Sequence, residues 1–356
     1  MKAPVATIAP SMFIHWFSGT GNAQQAAQWI KEEAEDAGCA TQLLSIPDHI
    51  MDPAAPEDPN ALLGFCYPTH GFNAPPLVLR YLWRFPRGKN RVFLLNTRAG
   101  LKLSKIHVPG LGGLALWMPF LILLLKGYRV MGFRPLDMPS NWISLHPGVK
   151  RKVASSIHQH CHQTVMRFTR RVVQGKAVLN GLLWLPIDLA VSPISVAYYF
   201  YGRFVIAKTF FASYRCNDCG KCIRECPVGA VIRKDRRPYW KFSCESCMHC
   251  MNHCPERAIE TAHGFVFLMW WAASALAAFV ALNLFQSIAI PSEGLDSGWL
   301  YWADRILVMA VRILLIYLAY RLMHYFLRYR WFSYLVTYTS FTRFHFWRRY
   351  RASKVK

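Results

Sequence analysis

The first half of the chain alternates short apolar runs with longer mixed stretches. Five runs have strand character: Phe13 to Phe17, Ala40 to Ile46, Ala61 to Tyr67, Arg91 to Asn96 and Tyr128 to Phe133. Ala23 to Ala37, rich in Ala, Gln and Glu and ended by Gly38, reads as a helix. Strands alternating with helices predict a parallel, doubly wound α/β sheet. Gly110 to Leu125 is apolar but short for a bilayer. It predicts a helix packed on the sheet, with an outer surface that faces lipid.

The second half has another pattern. Gly264 to Ser292 holds 29 consecutive uncharged residues, most of them apolar, where a membrane span needs about 20. Trp299 to Tyr320 is a second apolar segment, interrupted by Asp304, Arg305 and Arg312. Together they predict a transmembrane helical hairpin. The connecting loop carries Glu293 and Asp296 and no basic residue, whereas nine Lys and Arg and no acid follow Tyr320. That asymmetry places the basic, aromatic tail on the cytoplasmic side, and with it the domains before the first span. The expected location is the cell inner membrane. Leu182 to Phe200 contains Pro186, Asp188 and Pro193 and is expected to lie on or re-enter the membrane surface, not to cross it. Arg312, mid-span, requires a partner or a route to the surface.

Charge narrows the partners. The formal net charge is +23 over 356 residues, which calls for an anionic partner. The apolar runs favour lipid. No nucleic-acid fold signature accompanies the charge, so nucleic acid is not expected. Between Asp137 and Asp188 there is no acidic residue, while Lys150, Arg151, Lys152, Arg167, Arg170, Arg171 and Lys176 are basic. This predicts a basic helix near anionic headgroups.

Eight of the eleven cysteines fall between Cys216 and Cys254. Cys216, Cys219, Cys222 and Cys226-Pro227 are followed, 28 residues later at every cysteine, by Cys244, Cys247, Cys250 and Cys254-Pro255. Ala230 and Ala258 keep the same offset. Three cysteines at two-residue gaps turn three thiolates toward one point, and an iron–sulfur cubane takes four. In two-cluster ferredoxins the cysteine before proline crosses to the other cluster. One set is therefore Cys216, Cys219, Cys222 and Cys254, and the other Cys244, Cys247, Cys250 and Cys226. Zinc knuckles pair cysteines across a longer loop and fit this spacing poorly. The N-terminus lacks a secretory pattern, so the thiols are expected in a reducing compartment. Tyr214 to His263 resembles bacterial-type ferredoxins with two 4Fe-4S clusters.

Ser18-Gly19-Thr20-Gly21-Asn22 lies between the first strand and the first helix. Small hydroxyl and glycine residues at a helix N-terminus form an anion site. No lysine follows the glycines, and their spacing departs from the dinucleotide fingerprint. Here the chain looks like a flavodoxin, whose FMN phosphate occupies such a loop, although Ala23 stands where the loop usually ends in Thr. Pro68-Thr69-His70-Gly71-Phe72 and Asn96-Thr97-Arg98-Ala99-Gly100 follow further strands, and ligands of such sheets bind at strand carboxyl ends. His70 and Phe72 are candidates to flank the ring. Phe13 to His263 as a whole resembles flavodoxins fused to two-cluster ferredoxins, and Pro139-Ser140-Asn141-Trp142, after the fifth strand, resembles that family's flavin-side loop.

The resemblance implies FMN and two 4Fe-4S clusters exchanging electrons. The expected organisation is a flavodoxin-like FMN domain (1–149), a basic helix and membrane-surface linker (150–212), a two-cluster domain (213–263), the hairpin (264–325) and the tail (326–356). The expected role is a membrane-anchored electron conduit between a soluble low-potential donor and a membrane-bound redox enzyme. The alternative is a self-contained oxidoreductase acting on a quinone or lipid.

Overall fold

The computed structural model describes residues 11–104, 106–287 and 298–348. Five strands form the parallel sheet: β1 (Met12–Trp16), β2 (Thr41–Ser45), β3 (Leu62–Pro68), β4 (Arg91–Leu103) and, beyond the short β5 (Ile106–Val108), β6 (Arg129–Pro139). The parallel order is β2-β1-β3-β4-β6, and β5 pairs antiparallel with the end of β4. This is the doubly wound order with its switch point between β1 and β3.

Alternation along the strands feeds two cores. Leu95 joins Ile14, Ala27 and Ile30 under α1 (Asn22–Asp36), while Leu94 joins Phe65, Tyr81 and Leu123 under α2 (Pro76–Arg84) and α3 (Trp117–Leu125). On α3, Leu123 is buried and Leu121, Leu124 and Leu125 are exposed, so one face packs and the other is free.

Two expectations are corrected. The fourth strand does not end at Asn96. Thr97 to Gly100 pair with Leu136 to Pro139, and Leu101 to Leu103 turn back onto Val108 to Ile106, so the expected loop is extended strand. The basic helix α4 (Arg151–Val173) is not part of a linker. Ile157, Cys161, Val165, Phe168 and Val172 bury against the sheet, and Arg170 pairs with Glu33 of α1. It closes the α/β domain with its basic face outward, so that domain extends past residue 149.

Asn180 to Ala207 is one apolar helical stretch, running from a 3₁₀ turn through α5 (Leu185–Ala197) and a π turn at Tyr198–Gly202 into α6 (Arg203–Ala207). The two-cluster unit follows as β7 (Phe210–Ala212), α7 (Lys221–Arg224), a β8 (Val231–Lys234)–β9 (Arg237–Trp240) hairpin, α8 (His249–His253) and β10 (Ile259–Thr261), which pairs with β7. Its internal repeat extends to the backbone. Asp218 and Ser246, Gly220 and Met248, and Gly229 and Arg257 are all left-handed, each pair 28 residues apart. Met248 and Arg257 hold that conformation without glycine, at a cost of order 1–3 kcal/mol each.

Helices α9 (His263–Ser287) and α10 (Gly298–Phe326) lie against one another. The first expected span is helical as far as Ser287. Its last residues and the acidic loop at Glu293 and Asp296 lie outside the described residues. Among the described residues, Asn180–Ala207 and Arg305–Phe326 are long and apolar enough to cross a bilayer, and His263–Leu276 is a shorter apolar helix. Arg312 lies over the Trp270 ring at 5.9 Å. The end of α10 packs onto the two-cluster unit, burying Tyr320, Met323 and Leu327 against Phe211 and Tyr239. The segment beyond, with α11 (Arg330–Tyr338), folds back. Trp347 Nε1 donates to Ile143 O at 2.6 Å, and Thr261 N donates to Thr342 Oγ1 at 3.1 Å.

Candidate functional site

A cleft of about 570 Å³ opens at the carboxyl ends of the strands. It is lined by Ser18, Gly19, Thr20 and Asn22 after β1, by Pro68, Thr69 and His70 after β3, and by Thr97, Arg98 and Ala99 on β4. Pro139 to Trp142 after β6 and Ser246, Cys247 and Met248 of the two-cluster unit complete it. Fourteen of the residues expected on the flavin side thus surround one space.

The loop after β1 is held by its own polar groups. Gly21 N donates to Ser18 Oγ at 2.9 Å, and Gly21 caps α1 at φ +107°, where a side chain would be strained. Asn22 Nδ2 donates to Pro139 O at 2.7 Å, and Asn141 Nδ2 donates to Thr20 Oγ1 at 2.9 Å. These bonds tie the β1 loop to the β6 loop. Arg98 is buried, with Nε donating to Asp137 Oδ1 at 2.7 Å and its guanidinium over Trp184 at 4.0 Å.

The remaining expected residues shape the cleft without lining it. Asn96 Nδ2 donates to Thr69 Oγ1 at 2.6 Å. A Cβ on Gly100 would meet Asp137 O at 2.3 Å, and one on Gly71 would meet the Tyr198 ring at 2.1 Å. Phe72 does not flank the cleft. Its carbonyl accepts from Ser195 Oγ at 2.7 Å and Leu114 N at 2.8 Å, which staples it to α5. His70 does line the cleft, and burial lowers its imidazole to about 4, so it is neutral.

Three polar atoms of lining residues are buried without a protein partner: His70 Nδ1, Asn141 Oδ1 and Trp142 Nε1. Buried polar groups are normally satisfied. Two hydrogen-bonding atoms and an indole N–H in a cleft at a helix N-terminus fit a planar, polar-edged, phosphorylated ligand such as FMN.

The first expected set gathers round one space, and Cys226, Cys244 and Cys250 of the second pack in one buried cluster that Cys222 and Cys254 also join. Cys216, Cys219, Cys222 and Cys254 line a single space of about 390 Å³. Burial pushes the Cys222 thiol up to about 12, and Cys216, Cys254 and Cys219 push the same way. In the second set burial also raises Cys244 to about 12 and Cys247 further, with Cys226 adding to both. Thiols that repel one another's charge within one space suit a ligand that takes all four as thiolates. Among the described residues no three His, Cys, Asp or Glu side chains gather tightly enough for a single metal ion. The repeat carries matched sulfur contacts: Ala230 N donates to Cys226 Sγ at 3.2 Å, and Ala258 N to Cys254 Sγ at 3.3 Å. The residues present therefore fit two cubanes.

Residues 215–259 match the 4Fe-4S dicluster domain. No curated protein matches the chain. Among solved structures, the chain is similar to rubredoxin oxygen:oxidoreductase from Desulfovibrio gigas, with 14% identity, TM-score 0.28, and 47% of this chain and 37% of that chain covered. Flavodoxin 1 from Bacillus cereus shares 16% identity at TM-score 0.31, over 45% of this chain and 97% of that one. Fusobacterium nucleatum flavodoxin bound to flavin mononucleotide shares 11% at TM-score 0.31, over 47% and 98%. The chain thus spans about a third of the first of these proteins and nearly all of the two flavodoxins. The flavodoxin-like fold stands on the strand order β2-β1-β3-β4-β6.

The cleft and the second cysteine set adjoin. A Cβ on Gly19 would lie 2.1 Å from Cys247 O, so the β1 loop rests directly on the cluster loop. His249 Nδ1 lies 3.0 Å from Gly19 O. Glu245 braces the contact from the other side, accepting from Leu77 N at 3.1 Å and Arg80 Nη2 at 3.0 Å. Ser246, Cys247, Met248 and Tyr198 were not legible as neighbours of the cleft, because only docking between domains brings them there. Pro139 and Ser140 line the cleft with Asn141 and Trp142, as the resemblance of that loop implies.

Proposed function

We propose that this protein is a membrane-attached electron carrier linking an FMN to two 4Fe-4S clusters. The observation that carries this reading is the contact between Gly19 and Cys247. It gives one order of sites: the cleft, then the set of Cys226, Cys244, Cys247 and Cys250, then the set of Cys216, Cys219, Cys222 and Cys254. When bound, a flavin exchanges electrons in ones or twos and a cluster exchanges one.

The chain's own residues do the positioning. Ser18, Thr20, Asn22 and the α1 N-terminus hold a phosphate. Neutral His70, Asn141 and Trp142 address the ring edge, and Arg98 adds a fixed positive charge. Glu245, Arg80 and His249 lock the two domains so that the gap between cofactors is constant. Cys219 is exposed, which leaves the distal set open to a partner: a soluble low-potential donor or a membrane-bound redox enzyme.

Membrane attachment rests on α9, α10 and the exposed apolar faces of α3 and Asn180–Ala207. The latter stretch is anchored to the body along its length, through Asp188 to Trp117 Nε1 at 3.0 Å and Ser195 to Phe72. Its ends join two domains that touch at Gly19 and Cys247. It therefore lies along the surface, with Leu183, Leu189 and Phe200 exposed, and the hairpin supplies the crossing. The basic tail supports a place in the cell inner membrane with the redox domains on the cytoplasmic side.

A second reading has one observation in its favour. An open groove beside Cys216 is lined by Tyr214, Arg215, Trp331, Tyr334, Tyr338 and Arg343, a composition suited to a quinone or lipid headgroup. Anaerobic purification from membranes tests both readings. A carrier contains FMN, iron and sulfide and holds its electrons after chemical reduction. Turnover of added quinone by the isolated protein supports the second reading, and absence of iron and sulfide rejects both.

A further inference from the structure

Lys208 follows α6 and is 4% exposed. Its Nζ donates to Trp240 O at 2.5 Å. Four rings enclose it: Phe242 at 4.3 Å, Tyr320 at 4.6 Å, Tyr239 at 5.2 Å and Tyr317 at 6.0 Å. Among the described residues it has no carboxylate partner. A buried ammonium held only by one carbonyl and aromatic faces is costly unless a negative charge lies near. That charge is within reach through Trp240. Its carbonyl takes Lys208, its N–H donates to Tyr320 Oη at 3.2 Å, and its side chain packs in one buried cluster with Cys244, Cys226 and Cys250.

We propose that Lys208 is a positioning residue for electron transfer, a fixed buried cation that raises the reduction potential of the cluster held by Cys226, Cys244, Cys247 and Cys250. Tyr317 and Tyr320 of the membrane hairpin help to hold it in place. This rests on the cluster reading above. Four thiolates make the loaded site anionic, and reduction adds one electron with no bond made or broken. A nearby cation stabilises the reduced form more than the oxidised one. Net charge and hydrogen bonding near the cluster are the protein's levers on its potential. The distal set has a cation of its own, Arg237, whose Nη1 donates to Ala212 O at 2.7 Å, so the proposal concerns the proximal potential alone.

The test is a potentiometric titration of both clusters by electron paramagnetic resonance, on the full-length protein in detergent. The proximal signal is assigned by its loss in Cys247→Ser. At an effective dielectric constant near 20, removing one charge close to the cluster changes a one-electron equilibrium by roughly tenfold or more. Lys208→Met and Lys208→Gln are therefore expected to lower the proximal potential by about 59 mV for each tenfold, with the distal potential unmoved. Lys208→Arg is expected to retain the wild-type value. An unchanged proximal potential in both neutral variants, or an equal shift of both clusters, overturns the proposal. So does loss of iron from both neutral variants while Lys208→Arg keeps it, since that marks a purely structural cation. A wild-type protein without cluster signals rejects the underlying reading instead.

Discussion

Gly19→Ala probes the junction between cleft and cluster with a single methyl group. Gly19 is absent from the left-handed backbone positions, so alanine is conformationally allowed there. The added Cβ would meet Cys247 O at 2.1 Å and Cys247 Cβ at 2.9 Å. A gap of 2.1 Å must open to about 3.4 Å, and the nearest partner is a backbone carbonyl oxygen that cannot swing aside as a flexible side chain would. Overpacking of this kind costs about 1–3 kcal/mol. At about 1.4 kcal/mol per tenfold, FMN affinity should fall by roughly 5- to 150-fold if the β1 loop yields. If the cluster loop yields instead, proximal cluster content falls. The assay is fluorescence titration of flavin-depleted protein with FMN, alongside iron and sulfide content. Ser18→Ala is the control, since it removes the hydroxyl that accepts from Gly21 N without touching Cys247, and should weaken FMN while leaving both clusters intact. Wild-type FMN affinity together with wild-type cluster content in Gly19→Ala would refute the contact.

Four further outcomes follow from the geometry. Asp137→Ala strands the buried Arg98 guanidinium, and urea unfolding should register a loss of about 3–5 kcal/mol, with Asp137→Asn milder. Cys226→Ser should abolish the proximal cluster signal and spare the distal one, although Cys226 lies in the first cysteine group; loss of the distal signal instead would contradict the crossing. His15, buried and 2.8 Å from Tyr81 Oη, is held down to about 3 by burial, with His49 adding to it. Its folded-state value lies below its unfolded one, so its contribution is complete above about 6.5 and is lost as pH falls toward 3, at up to about 1.4 kcal/mol per pH unit. Urea midpoints between pH 7 and 5 should fall less in His15→Phe than in the wild type. Leu183→Lys, on the exposed face of the Asn180–Ala207 stretch, should weaken vesicle binding of the protein without changing its FMN content.

The cysteine repeat was readable as a dicluster unit because cubane ligation dictates spacing, and the 28-residue offset carries into the left-handed positions at Gly220 and Met248. The strand-end loops were readable because a doubly wound sheet sends every ligand loop to one edge. The extent of β4 was not, since Thr97 to Gly100 join the sheet only by pairing with Leu136 to Pro139, which no local pattern announces. The role of α4 was hidden by its charge: Arg and Lys mark its outer face, while Ile157, Val165 and Phe168 face the sheet. Glu245 and Lys208 read as ordinary charges in sequence. Each is buried by a different domain, one by the N-terminus of α2 and the other by the end of α10.

The central claim is that flavin and clusters form one continuous path inside a single chain. Flash reduction of the bound flavin under anaerobic conditions, followed at cluster wavelengths, tests it most directly. The account predicts cluster bleaching by a first-order process whose rate is independent of protein concentration. A rate that rises in proportion to protein concentration, or a reduced flavin that leaves the clusters oxidised although they have the higher potential, would contradict it.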